Sequence, residues 1–211
     1  MNRMNRTDQT VSRSWAFGTA SRSPFSHPSG FRGRLAGLVM LLTNDHQGVV
    51  DLLAVRPGDQ VLEIGHGAGG FLRRLTATPA GMIYGVEPSA VMRDEAARRL
   101  RNEIASGRVE LRLGTAEDTG LPTTSIDRVV ALNNVAIWPD LEAGLREIHR
   151  ITRPDGLVVI GWHSRTAPSR LTRRLALPED RLEVLHDTMR RVFGAAERVE
   201  LRSLTAFTAT R

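Results

Sequence analysis

The chain has 211 residues, 41% hydrophobic and 25% charged, an ordinary balance for one soluble globular domain with a sizeable core. It has no cysteine, which excludes disulfides, zinc ribbons and thiol nucleophiles together and fits the cytoplasm. The net charge of +6 rests on 29 basic residues that are all arginine, a compositional drift rather than a binding surface, so a pI of about 11.2 is no argument for a nucleic-acid partner.

Residues 1–33 have no apolar period and are rich in Arg, Ser, Thr and Gly. They predict a flexible tail, with Trp15 and Phe17 available to dock it, and a lid over a ligand is its functional reading. A single domain is expected over 34–211, with helical pattern from Arg34. The longest apolar run, "LAGLVMLL", is far shorter than the ~20 residues that span a bilayer, and no signal-peptide pattern precedes it. "LTNDHQGVVDLLAV" reads as a short helix after a cap around Asn44.

Apolar runs of strand length then follow at Val61–Ile64, Met82–Val86, Val109–Leu113, Arg128–Leu132 and Leu157–Gly161. Between the second and third, Met92, Ala96, Leu100 and Ile104 make one stripe and predict one helix. Between the fourth and fifth, Leu141, Leu145, Ile148 and Ile151 do the same, with Asp140 as N-cap and Pro154 as the stop. Strand and helix in alternation predict a parallel sheet covered on both faces. The ending differs: after the helix "EDRLEVLHDTMRRVFGA", the runs "RVELRSL" and "AFTATR" are too close for a crossover and should pair as an antiparallel hairpin.

The turn in "VLEIGHGAGG" fits two templates, G-x-G-x-x-G through Gly65, Gly67 and Gly70, and G-x-G-x-G through Gly65, Gly67 and Gly69. Both bring backbone close to a ligand and offer free N–H groups. Glu63 lies inside the end of the first strand, where dinucleotide fingerprints carry an apolar residue. A carboxylate there is costly unless a cation or a donor meets it. Glu87 ends the second strand, where a carboxylate accepts both hydroxyls of a ribose.

In order and spacing, "VLEIGHGAGG", "IYGVEPSAVM", "LRLGTAEDTGLP", "SIDRVVALNNVAIWPD" and "HRITRPDGLVVIGW" resemble the class I S-adenosylmethionine-dependent methyltransferases. The nearest likeness is to the small ubiquinone/menaquinone-methylase-like group, methyltransferase type 11. The resemblance covers about residues 57–163. It implies a Rossmann-like, doubly wound α/β fold with seven strands in the order 3-2-1-4-5-7-6, strand 7 antiparallel. It also implies S-adenosylmethionine as methyl donor and S-adenosylhomocysteine as product. Carried over, Glu63 and the turn Gly65, Gly67, Gly69 hold the methionine part of the cofactor, and His66 makes a contact at a variable position. Glu87 takes the ribose, with Pro88 and Met92 near the adenine and Thr115, Ala116 and Glu117 at its edge. Asn133 and Asn134 line the space beside the sulfonium.

Methyl transfer from a sulfonium is an in-line displacement with a neutral leaving group, so alignment and exclusion of water matter more than an acid. A base is required only where the acceptor loses a proton. His46, His66 and His163 are the candidates, each more readily read as a packed or surface histidine. His163 is preferred because it follows the fifth strand's C-terminal end. Trp138 and Trp162 are either a wall of the acceptor pocket or core packing. The arginine run in "HSRTAPSRLTRRLALPEDR" either flanks an anionic acceptor or is a solvated surface. Scattered histidines without ligand spacing give no metal site. A small-molecule acceptor is the preferred expectation, because "NNVA" lacks the Pro-Pro-aromatic of base-amino methylases. Methylation of RNA or protein and a non-catalytic S-adenosylmethionine-binding role are the alternatives. A nicotinamide dehydrogenase is disfavoured by Glu63. The acceptor atom and the oligomeric state are not written in the sequence.

Overall fold

The computed structural model describes residues 14–18, 46–167 and 173–211. Runs of Val, Ile and Leu form β1 (Gln60–Ile64), β2 (Met82–Glu87), β3 (Val109–Leu113), β4 (Ile126–Leu132), β5 (Thr152–His163), β6 (Glu197–Glu200) and β7 (Leu204–Thr210). They make one sheet in the order β3-β2-β1-β4-β5-β7-β6. The strands from β3 to β5 pair in parallel, while β7 pairs antiparallel with both β5 and β6. The fold is the expected doubly wound one, and the expected terminal hairpin supplies its antiparallel strand.

The helices are α1 (His46–Leu53), α2 (Leu72–Leu75), α3 (Ala90–Arg99), α4 (Arg101–Ala105), α5 (Leu141–Ile151) and α6 (Glu179–Phe193). Alternation along the strands gives the sheet two apolar faces. Leu62, Ile64, Val129 and Phe207 pack with Leu145 and Ile148 of α5 and Leu185 of α6. On the opposite face Val61, Val130 and Val159 pack with Val49 and Leu53 of α1 and Leu72 of α2. Glu63 lies between Leu62 and Ile64 and so shares the second face, where burying a carboxylate is costly.

The α5 stripe is buried as expected, and the Ala143 N–H donates to the Asp140 carboxylate at 3.0 Å, making Asp140 the N-cap. The helix ends at Ile151, before Pro154 can act, because Thr152 is already extended (φ −70°, ψ 139°) and starts β5. The single helix expected after β2 is two pieces, broken at the wholly buried Leu100 (φ −107°, ψ 23°). Asn44 and the helical pattern from Arg34 lie outside the described residues, as do most of the expected tail and positions 168–172 of the arginine run.

Candidate active site

The glycine turn connects β1 to α2 and is held against β2. The Gly65 N–H donates to the Val86 carbonyl at 2.7 Å, and the Gly67 N–H to the Glu87 carboxylate at 3.0 Å. Gly65, Gly67 and Gly69 all take positive φ (66°, 52° and 80°) and Gly70 does not, so the strain pattern is that of G-x-G-x-G. Space selects glycine at two of these positions independently. A Cβ on Gly65 would stand 2.5 Å from Asn134 Nδ2, and one on Gly69 would stand 2.9 Å from the Ala96 Cβ.

Two acids meet beneath this turn. Glu87 receives the Gly67 N–H on one carboxylate oxygen and the Ser89 N–H, also at 3.0 Å, on the other. Burial pushes its carboxyl up, and these two N–H groups oppose the rise. Glu63 has no such cradle. It is 4% exposed, and its Oε2 meets no donor. Burial first, then the like charge of Glu87, pushes it up to about 8 against the Leu72 backbone N–H. A buried carboxyl oxygen without a donor, beside a glycine turn, suits the ammonium of an amino-acid moiety.

His66 is also buried. Its Nδ1–H donates to the Gly67 carbonyl at 2.8 Å, leaving Nε2 unpartnered with its lone pair free. Burial holds the ring down to about 4, so it is neutral at physiological pH. The ring lies over Gly85, where a Cβ would come within 2.7 Å of it.

Beyond β4, Asn134 has its carboxamide fully occupied. Nδ2 donates to the Ile64 carbonyl at 2.7 Å, and Oδ1 accepts the Trp138 indole N–H at 2.9 Å. It ties the loop after β4 to the end of β1. Asn133 is left-handed (φ 55°), and its buried Oδ1 has no partner. Such a conformation persists only where the surroundings enforce it.

Thr115, Ala116 and Glu117 form a turn closed by the Thr115 N–H on the Asp118 carbonyl. Ala116 is buried and Glu117 accepts the Asp140 N–H at 3.3 Å, which joins the turn to the start of α5. Pro88 is exposed and Met92 half-buried at the start of α3. Ser89, Val91 and Leu113 escaped the sequence reading. Ser89 both donates its N–H to Glu87 and caps α3 by accepting the Met92 N–H, a role its place before "AVM" could have signalled. Val91 and Leu113 are large hydrophobics left exposed, 62% and 51%, at the C-terminal side of β2 and β3. Nothing in the sequence distinguishes them from packed residues.

His163 is 2% exposed, with Nδ1 unpartnered, and burial holds it down to about 4. By strand alternation it shares a face with Gly161, whose carbonyl accepts the Asn133 N–H at 2.8 Å. His46 packs edge-on against Phe71 with ring centres 5.4 Å apart. Both tryptophans are packing residues: Trp138 is bound to Asn134, and the Trp162 indole donates to the Leu175 carbonyl at 2.8 Å. Among the described residues, no group of three His, Asp or Glu is placed to hold a metal. No helix there is long and apolar enough to cross a membrane.

The segment 14–18 is fastened to the same loop. The Ser14 hydroxyl donates to the Ala136 carbonyl at 2.6 Å and the Trp15 indole to the Val135 carbonyl at 2.6 Å. The Trp15 backbone N–H donates to the Trp138 carbonyl at 3.1 Å. Trp15 thus docks as expected, while Phe17 stays half exposed.

A methyltransferase domain family matches residues 62–160. The uncharacterized methyltransferase YdaC of Bacillus subtilis strain 168 is 30% identical over 136 residues, 63% of this chain and 73% of that protein. Nocamycin O-methyltransferase of Saccharothrix syringae is 34% identical over 113 residues, 52% of this chain but only 40% of the relative. A SAM-dependent methyltransferase from Aquifex aeolicus shares the fold, with a TM-score of 0.67 at 16% identity over 86% of this chain and 98% of that one. With the sheet order and the glycine turn over two strand-end acids, these likenesses place the chain in the class I S-adenosylmethionine-dependent methyltransferases.

Proposed function

We propose that this protein methylates a small-molecule acceptor in the cytoplasm, using the site at the C-terminal ends of β1, β2 and β4. The observation that carries the reading is the pair of buried acids, Glu63 and Glu87, at neighbouring strand ends beneath one glycine turn. The cofactor supplies an electrophilic methyl carbon on a sulfonium whose departure as a thioether requires no acid.

Glu87, fixed by the N–H groups of Gly67 and Ser89, keeps lone pairs for the ribose hydroxyls. Glu63, with Gly65, His66, Gly67 and Gly69, holds the methionine part. Pro88, Met92, Val91 and Leu113 border the adenine, and Thr115, Ala116 and Glu117 meet its edge. Asn133 offers its free Oδ1 beside the sulfonium, while Asn134 acts as a strut that holds the loop after β4 at a set distance from the turn. His163 is a neutral ring with an unpartnered nitrogen, suited to receive a proton from an acceptor hydroxyl. Segment 14–18, docked through Trp15 on the loop after β4, borders the acceptor side.

The small-molecule class is supported by the name of the nocamycin O-methyltransferase relative and by the loop "NNVA" after β4. Two measurements test the reading. Calorimetric titration with S-adenosylmethionine, S-adenosylhomocysteine and NADH should give binding of the adenosyl pair alone. Transfer of radiolabelled methyl groups should then favour a panel of hydroxylated small molecules over bulk RNA and protein. Labelling of RNA or protein alone would move the acceptor to that class, and binding without labelling of any acceptor would favour a non-catalytic role.

A further inference from the structure

The two acids of the site are unequal in a way that their shared position conceals. Each oxygen of Glu87 receives a backbone N–H, so Glu87 is furnished to carry charge. Glu63 keeps an oxygen with no donor, inside the sheet face and next to that carboxylate. The Leu72 backbone N–H is the donor that favours its charged form, and His46 of α1, buried on the same face, packs edge-on against Phe71. His66 is a neutral ring that presents a lone pair. Arg73 and Arg74 of α2 are exposed to solvent. On β4, Arg128 faces the opposite end of the sheet and pairs with Asp59 at 3.3 Å. On β5, His163 is buried and neutral. Two like charges so placed disfavour each other, and the one with an oxygen that no donor meets is the one that keeps a proton.

We propose that Glu63 is protonated in the free protein and gives its proton to solvent when the cofactor's ammonium group arrives, so that cofactor binding is coupled to proton release. The inference rests on the cofactor site proposed above and adds a pH dependence to it. Bond by bond, the carboxylic O–H breaks, the proton leaves to buffer, and the carboxylate accepts an N–H of the ammonium. Occupancy of the site then rises with pH through the range in which Glu63 would otherwise hold its proton. The protein thereby responds to cytosolic pH at the step of cofactor loading, before any acceptor is present.

The test is calorimetric titration at pH 7 in two buffers of different ionisation enthalpy, phosphate and Tris, whose difference counts protons. S-adenosylhomocysteine and S-adenosylmethionine carry the ammonium, and 5′-methylthioadenosine carries neither ammonium nor carboxylate. With Glu63 held up to about 8, each of the first two should release nearly one proton and the third none. Affinity for S-adenosylhomocysteine should tighten about tenfold from pH 6 to pH 7. Glu63→Gln keeps the shape of the neutral acid and should bind more weakly, without proton release. Binding by the wild-type protein with no proton release overturns the proposal and leaves the cofactor site standing. Release that persists in Glu63→Gln, or that accompanies 5′-methylthioadenosine equally, overturns it too. Failure of both adenosyl ligands to bind overturns the proposal and the site together. The pH series on the wild-type protein alone decides the matter if the variant does not fold.

Discussion

Single residues of the site divide into those that a sequence exposes and those that only tertiary structure assigns. Glu63, Glu87 and the glycines are legible because each is costly at its position without a ligand or a special backbone, and cost is visible in a one-dimensional pattern. Asn134 is different. Its neighbours in sequence say nothing of Ile64 or Trp138, so it reads as a cofactor ligand while its side chain is bound to protein on every side. Glu87→Ala removes the acceptors proposed for the ribose and should weaken S-adenosylmethionine binding by about 10- to 100-fold, measured by calorimetry. Gly65→Ala places a methyl group 2.5 Å from Asn134 Nδ2 at a φ of 66°. It should abolish measurable cofactor binding and lower stability by about 1–3 kcal/mol, read from a denaturant melt.

Elements were legible where periodicity and burial agree. All five parallel strands lie where apolar runs predict them, and the hairpin follows from a connection too short for a crossover. The α5 stripe is wholly or nearly buried, and Leu145→Ala should cost about 2–5 kcal/mol and lower the melting temperature accordingly. Between β2 and β3 the same period continues through a break, because Leu100 is held by the core while the residues on either side turn about it. Hydrophobic spacing records which side chains go inward and not whether the axis stays straight. The clasp of Ser14 and Trp15 was invisible apart from its aromatic, since its partners are three carbonyls with no sequence signature. Trp15→Ala removes one of those bonds and an apolar contact. It should raise hydrogen exchange across residues 135–138 while α6 stays protected.

For the whole molecule, the buried titrating groups oppose one another in setting stability against pH. Glu63 is held up to about 8, above its ordinary value of 4.5, so the folded state binds the extra proton between those values and stability falls as pH rises through them. His66 and His163 are held down to about 4 from 6.5, so the unfolded chain binds the extra protons there and stability rises with pH across that window. The two histidines oppose Glu63 and the likewise raised Glu87 below about pH 6.5, and above it the falling contribution of Glu63 acts without them. The melting temperature of the cofactor-free protein should therefore decline from pH 6.5 toward pH 8, less steeply below pH 6.5 where the histidines oppose the fall, and Glu63→Gln should flatten that decline. Thermal melts from pH 5 to 8.5 measure both.

The clasp on the loop after β4 also joins distant parts of the chain. Ser14 and Ala136 are 122 positions apart, so their contact carries the closure entropy of a long loop. Held by three hydrogen bonds, it should open at a lower free energy than the sheet. The loop after β4 is thus completed by residues that precede every described strand.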